Sequence, residues 1–444
     1  GTYLTARRVG TAVRVVLQGA FPFPAGVLWW PQRSAGTAEE WAALIDALEV
    51  QNEAIIRAAP LEQWLPPAQT TDAAGQVHQV PHRCDQVSGV NASERFGMST
   101  VVTLDAQDPT RVDRWSLLGA TDLVYASPSS LYLLSRHWWW WPKSGEDATY
   151  VHRFDISGPA TAIHQGSAAL DGMVPGPFAV DELDGRLRAA TTDSAGSRVM
   201  VLEPSGAELV EIGRTPDFAP GEFLEGARFV GTRGFVVTFR RVDPLFTIDL
   251  SDPAHPAVAG ELTVPGFSTY LHPVSDALLV GLGRGEWGGV QVNLFDVSDL
   301  SHPRQAAALP VGPGTSEAQY DYRAFTWLPS RGLFSIPYEA GTWVNGEYLE
   351  QTALKVYQVG AAGLAEQGTL SLGDLAGALP YWCPRARVRR SILSDHDAYA
   401  VSDDAVRVAR LSNLDQPVAT ATLALPPPPD ACQVIINGRA ADPQ

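Results

Sequence analysis

Sulfur and positive charge are both scarce in this chain. It has three cysteines and three methionines in 444 residues, and 32 Lys and Arg against 49 Asp and Glu, for a formal net charge of −17. Cys84, Cys383 and Cys432 stand in no CxxC and no other metal-ligand spacing, so a zinc module is excluded. Three cysteines allow one disulfide with three choices of pair. If strands alternate in direction, Cys383 and Cys432 flank the last repeat on one face, which favours that pair; Cys84 with Cys383 is the alternative. The acidic balance excludes nucleic acid as a partner, because no basic stripe is present to neutralise phosphates. RARVRR at 385–390 is the one basic cluster, and strand alternation would split its side chains between two faces. No apolar run approaches the ~20 residues of a membrane helix. The chain also lacks GxSxG, HExxH, P-loop and EF-hand patterns. The glycines at 281–285 end a strand rather than open a helix, so they do not make a dinucleotide loop.

What the chain has is repetition. The segments at 245–267 (LFTIDLSDPAHPAVAGELTVPGF) and 292–312 (VNLFDVSDLSHPRQAAALPVG) share one pattern: apolar strand, Asp, Ser-Asp turn, His-Pro step, apolar strand. Fainter copies lie at 101–119, 151–170, 199–215, 354–373 and 406–426. The residues ending the first strand of each copy are Asp105, Asp155, Glu203, Asp249, Asp296, Gln358 and Leu411. They are spaced by 50, 48, 46, 47, 62 and 53 residues. Ahead of each copy from 151 onward stands a hairpin of two alternating apolar segments: 120–137, 178–193, 227–240, 269–283, 322–338 and 388–403. Hairpin plus hairpin is one four-stranded blade, and a period near ~45 residues indicates an all-β protein of the β-propeller class. Seven blades are countable, eight if upstream strands are missing.

The first blade is split. Residues 1–19 supply one hairpin and 99–119 the other, and 20–98 are too long for a connection, so they read as an insertion or lid. Part of it is expected to be helical. Thr37 with Glu40 forms a capping box, followed by Trp41, Leu44, Ile45 and Leu48 at helical spacing, with a break near Asn52 and an end before Pro60. The expected organisation is a propeller over 1–426, an insertion at 20–98 and a tail at 427–444.

The segments RFVG (228–231) and FVVTFRRVDPLFTIDLSDPAHPAVAGELTVPGFSTYLHP (235–273) closely resemble secreted bacterial proteins with a C-terminal β-propeller domain. These are distant relatives of the tryptophan–aspartate repeat propellers. SEAQYDYRAFTW (316–327), VYASPSSLYLLSRHWWW (124–140), HRFDISG (152–158) and PLEQWLP (60–66) extend the resemblance over nearly the whole chain. The resemblance implies an exported protein, secreted, periplasmic or at the cell surface. It implies fold rather than activity. The start at Gly1, already inside a strand, suggests a processed chain.

Few residues suggest chemistry. His255 and His302 recur in equivalent turns and mark blade architecture. His272 reads as a buried histidine hydrogen-bonded to a neighbouring blade, with ligand binding as the alternative. His137 precedes Trp138, Trp139, Trp140 and Trp141, and a strand cannot bury four successive indoles on one face. Some of these rings are expected between blades, and the others in a loop where they stack on a sugar, a partner chain or Trp29 and Trp30. Asp395 and Asp397 flank a hairpin turn and are the candidate ligands for a structural calcium or other metal; no other cofactor is expected. The leading function is a non-enzymatic exported scaffold that binds other protein chains, including its own upstream segment as a separate chain. The alternatives are a metal-, calcium- or glycan-binding propeller, and a hydrolase or oxidoreductase with a site assembled from several blades.

Overall fold

Strand pairing follows the repeats. The computed structural model describes residues 1–72, 74–89, 95–108, 110–137, 147–239, 243–344, 347–360, 363–375 and 387–423. The chain forms two compact units, Gly1–Arg188 with Leu202–Glu211, and Ala189–Val201 with Ile212–Gln444. Asp105, Asp155, Asp249 and Asp296 each end a strand, as the spacing predicts, whereas Glu203 and Gln358 fall two residues short of the strand ends Ser205 and Gly360, and Leu411 lies one past Arg410.

In the first unit, strands Thr2–Val9, Ala12–Gly19, Met98–Asp105 and Val112–Leu118 pair antiparallel in that order. The register brings Gly19 opposite Met98, and the chain between them leaves the sheet and touches it again at Val87–Ser88, which pairs parallel with Ser116–Leu117 as a fifth, edge strand. Strands Leu123–Ala126, Ser130–Arg136, Ala148–Asp155 and Ile163–Asp171 make the next antiparallel meander. The facing sides of these two sheets bury Val16, Val101, Leu117, Leu131, Leu133 and Phe154 in one cluster. Each such side chain contributes ~1.5–3 kcal/mol of burial. Arg14, itself buried, donates to the carbonyls of Ile156 and Gly158 and ties the sheets together. Four further strands follow, Val180–Leu183, Arg186–Asp193, Gly196–Ser205 and Glu208–Arg214, and the boundary between the units falls among them.

The second unit holds four four-stranded sheets, over 223–264, 267–312, 326–371 and 388–422. Each is an antiparallel meander of sequence-adjacent strands, and neighbouring sheets share cores. Phe235, Val237, Leu271, Leu279 and Phe295 join the first two. Leu333, Leu354, Leu370, Val388, Ala398 and Ala400 join the last two. Burial falls from inner to outer strand. Leu278–Arg284 buries five successive residues, whereas Arg304–Gly312 buries none. An inner strand covered on both faces reads as a continuous apolar run, and the solvated outer strand tolerates Pro310 and Pro417.

Outer strands carry a recurrent bulge. Gly166, Gly260 and Gly368 sit beside register shifts in their pairings with the preceding strands. At each, and at Gly213, a Cβ would press on the chain that follows: Glu208, Leu300, Leu414 and Pro253, respectively. Glycine lets one repeat approach the backbone of the next at Gly166, Gly213 and Gly260, and the Leu414 side chain at Gly368.

One expectation about the insertion changes. The helix α1, Ala38–Ala58, runs unbroken through Asn52. Asn52 Nδ2 donates to the Leu28 carbonyl at 2.7 Å, and its Oδ1 accepts from the Leu28 N–H at 3.1 Å. The side chain is thereby held by the preceding loop and no longer competes for its own helix backbone. The Thr37 cap is formed, accepting from the Glu40 N–H at 3.1 Å, while the Glu40 carboxylate reaches back to the Gly36 N–H at 2.7 Å.

Candidate functional site

The insertion carries the most unusual surface of the first unit. Not one of the 21 residues of α1 is buried. Its apolar positions Leu44, Ile45, Leu48 and Ile55 are half-covered, and Trp41, Val50 and Ile56 are exposed. Beside the helix, the Asn52–Leu28 pair of hydrogen bonds fixes the loop that bears Trp29 and Trp30, which are 68% and 69% exposed. Phe23 packs edge-on to Trp29 at 4.9 Å between ring centres, to Trp64 at 5.8 Å and to Phe96 at 6.1 Å. Phe96 itself is 70% exposed. The charged flank of α1 holds Glu39, Glu40, Asp46, Glu49 and Glu53 against Arg57 alone. A fixed aromatic surface bordered by carboxylates can bind by burying apolar area; among its described residues no nucleophile and base are in contact.

The remaining sequence candidates lie elsewhere. His137 Nδ1 is 3.0 Å from the Tyr150 hydroxyl, with the rings edge to face. Trp138, Trp139, Trp140 and Trp141 lie outside the described residues. Cys84 is exposed with a free thiol, and Cys383 and Cys432 also fall outside the described residues.

His272 lies in an aromatic box of the second unit, 4.7 Å from Phe325 and 5.9 Å from Trp327 between ring centres. The Tyr270 hydroxyl meets its Nδ1 at 3.0 Å. Burial first, then the positive charge of Arg228, pushes the imidazole down to about 4. Burial pushes the Tyr270 phenol up to about 12. The histidine is therefore neutral at pH 7 and shares one hydrogen bond with the tyrosine hydroxyl. The expected bond to a neighbouring blade is a bond within its own strand, Phe267–Pro273, and the neighbouring sheet supplies the rings instead.

The two carboxylates at the last hairpin face different partners. Asp397 accepts twice from Arg410, at 2.9 and 3.1 Å. Asp395 accepts from the Ser330 hydroxyl at 3.1 Å, and its carbonyl takes the Arg331 guanidinium at 2.6 Å. Among the described residues no three His, Cys, Asp or Glu side chains are grouped to hold a metal ion.

Two polar clusters escaped the sequence analysis. In the first unit the Glu182 carboxylate accepts from the Tyr132 hydroxyl at 2.6 Å, Ser127 at 2.9 Å and Ser129 at 3.1 Å. His152 and His164 both meet the Ser167 hydroxyl, at 2.8 and 3.0 Å, and burial first, then His152, pushes His164 down to about 4. The partners of Glu182 lie 50 to 55 residues away, so no spacing announces that group; His164 and Ser167 are three apart, but their link to His152 runs across a strand pair. The exposed Phe96 and Trp287 were also missed. Trp287 had a local signal: an indole between glycines, at a hairpin tip where turn residues are usually polar.

The comparisons with known proteins concern this fold. A protein of Methanocaldococcus jannaschii is 32% identical over 211 residues, 46% of this chain and 32% of its own length. One of Archaeoglobus fulgidus is 35% identical over 192 residues, 43% of this chain and 30% of its own. The matches thus span about a third of the length of these curated archaeal relatives. Among solved structures, Sqt1 of Chaetomium thermophilum has a TM-score of 0.46 at 12% identity, covering 74% of this chain and 80% of that one. The periplasmic gluconolactonase PpgL of Pseudomonas aeruginosa has a TM-score of 0.41 at 14% identity, covering 74% and 95%. The family model described as "Beta propeller domain" matches residues 1–414. The chain belongs to the beta propeller domain family.

Proposed function

We propose that this chain is a non-enzymatic β-propeller module that binds another protein through its insertion. The observation that carries this is α1: a 21-residue helix without a buried residue, beside Trp29, Trp30 and Phe96 at 68–70% exposure. Apolar surface of this kind, rimmed by polar groups, marks interaction sites. The five carboxylates of α1 select a partner segment that brings aliphatic or aromatic anchors together with Lys or Arg. Export to the periplasm, the cell surface or the medium belongs to the same reading, and its support is the sequence resemblance to secreted propeller proteins. Within the described residues, the polar clusters are occupied with their own neighbours, which favours a scaffold over an enzyme.

The test is the native complex. The protein, isolated from its own host, is expected to carry a second chain in stoichiometric amount, and W29A/W30A is expected to release it while leaving the melting temperature unchanged. A solitary chain, or a complex indifferent to W29A/W30A, defeats the proposal. Cell fractionation decides the compartment independently.

A further inference from the structure

We propose that the hairpin tip around Trp287, in the second unit, is a binding site for a neutral carbohydrate chain. Strands Leu278–Arg284 and Val290–Asp296 are joined by 285–289, Gly-Glu-Trp-Gly-Gly. Trp287 is 92% exposed, the most exposed large apolar side chain among the described residues. Its loop is nevertheless held. The Gly288 N–H donates to the Gly285 carbonyl at 3.0 Å, and the Gly285 N–H to the Gly289 carbonyl at 3.3 Å. Gly288 and Gly289 have φ of +83° and +78°, and a Cβ at Gly289 would overlap the Gly312 carbonyl. Glycine is required there to lay the tip against the outer strand. A fixed turn presenting a bare indole keeps its ordering cost low on binding.

The indole borders a cleft of about 560 Å³, within the usual range of ligand sites. Its polar wall is built from the sheet beneath. Asn293 is fully buried, and its Oδ1 accepts one N–H from Gln291 at 2.8 Å and one from Gln305 at 3.1 Å. Both amide planes are thereby oriented, and among the described residues no hydrogen bond reaches either glutamine Oε1. Gln291 Oε1 stands at the foot of the tip, 2.8 Å from where a Cβ on Gly285 would lie. Glu286 is the sole charged residue lining the cleft. An aromatic face, two oriented amide oxygens and one carboxylate match a polyol: ring C–H groups stack on the indole while hydroxyls donate to the three acceptors. With no Lys or Arg in the lining, phosphorylated, sulfated and uronic-acid sugars are disfavoured. This site stands apart from the protein-docking proposal, and neither depends on the other.

The experiment is a titration of the whole chain, labelled with 5-fluorotryptophan, with cellohexaose, chitohexaose, mannohexaose and maltohexaose, followed by fluorine NMR. W287F assigns the Trp287 resonance. At least one hexasaccharide is expected to move that resonance saturably, with Kd on the order of 1 mM or tighter. W287A, which removes that reporter and is therefore followed by isothermal titration calorimetry beside the parent chain, is expected to weaken binding roughly ten-fold or more. Q305A, whose side chain lies on an outer strand, serves as a second variant and is expected to weaken binding without unfolding the chain. Choline is the cationic control. Failure of all four sugars to bind, binding indifferent to both variants, or binding of choline alone would each overturn the assignment.

Discussion

Gly260 faces the carbonyl oxygen of Leu300 so closely that a β-carbon on Gly260 would overlap it. The same carbonyl accepts from the Thr247 hydroxyl at 2.5 Å, and Thr247 is the cross-strand partner of Gly260. One turn of the next repeat is thus clasped by two residues of a single register pair. G260A is expected to cost about 1–3 kcal/mol, because the clash is with backbone and not with a side chain that can rotate away. Urea unfolding checks it, and an unchanged midpoint would show that the repeats are held elsewhere.

The outer-strand glycines also show how much was legible. Gly166, Gly213, Gly260 and Gly368 fall ten or eleven residues beyond the repeat positions Asp155, Glu203, Asp249 and Gln358, and Ala307 holds that place after Asp296. The period could therefore be read directly, and strand ends where an Asp marks the turn, since alternation and turn chemistry are local; Glu203 and Gln358, without that Asp, stand two residues inside their strands. What could not be read was contact between segments far apart. Asn52 looked like a helix break because its partner, Leu28, lies 24 residues away. Of the aromatic surface, Trp29 and Trp30 were visible as a pair, but Phe23, Trp64 and Phe96 join them only in three dimensions. Trp287 was readable in principle and was passed over with the glycines around it.

Acid should loosen the fold through its half-buried imidazoles. His272 is held down to about 4, mainly by burial, and an unfolded histidine titrates near ~6.5. The unfolded chain then binds the proton first, so the contribution is complete above pH 6.5 and is lost as pH falls toward 4. For His272 this amounts to at most about 3 kcal/mol. His164 acts in the same direction. Urea midpoints measured from pH 7 to pH 4 should fall less steeply for H272Q than for the parent chain.

Arg407 is buried and lies along the Asp374 carboxylate, with N–O distances of 2.5 and 2.8 Å. It also donates to the Ser371 carbonyl at 2.7 Å. D374A removes the counter-ion of a buried guanidinium and is expected to cost roughly 1–2 kcal/mol, because the Asp374 carboxylate is itself 65% exposed and solvent screens the pair. R407M/D374A should recover much of that loss. A double variant no more stable than D374A would show that the aliphatic replacement packs poorly.

N52A should act locally. Without the two bonds to Leu28, the loop bearing Trp29 and Trp30 loses its anchor on α1. Amide hydrogen exchange across residues 26–30 is expected to accelerate ten-fold or more, about 1.4 kcal/mol of lost protection, with the sheets unaffected. Exchange that rises equally throughout the first unit would instead mean that the insertion and its sheet open together.

The pairing of Gly19 with Met98 has a last consequence. Because the chain departs and returns across one rung of a ladder, the helix and its loop can change in length without shifting those two strands, whereas residues 87–88 must stay in step with the outer strand they pair with.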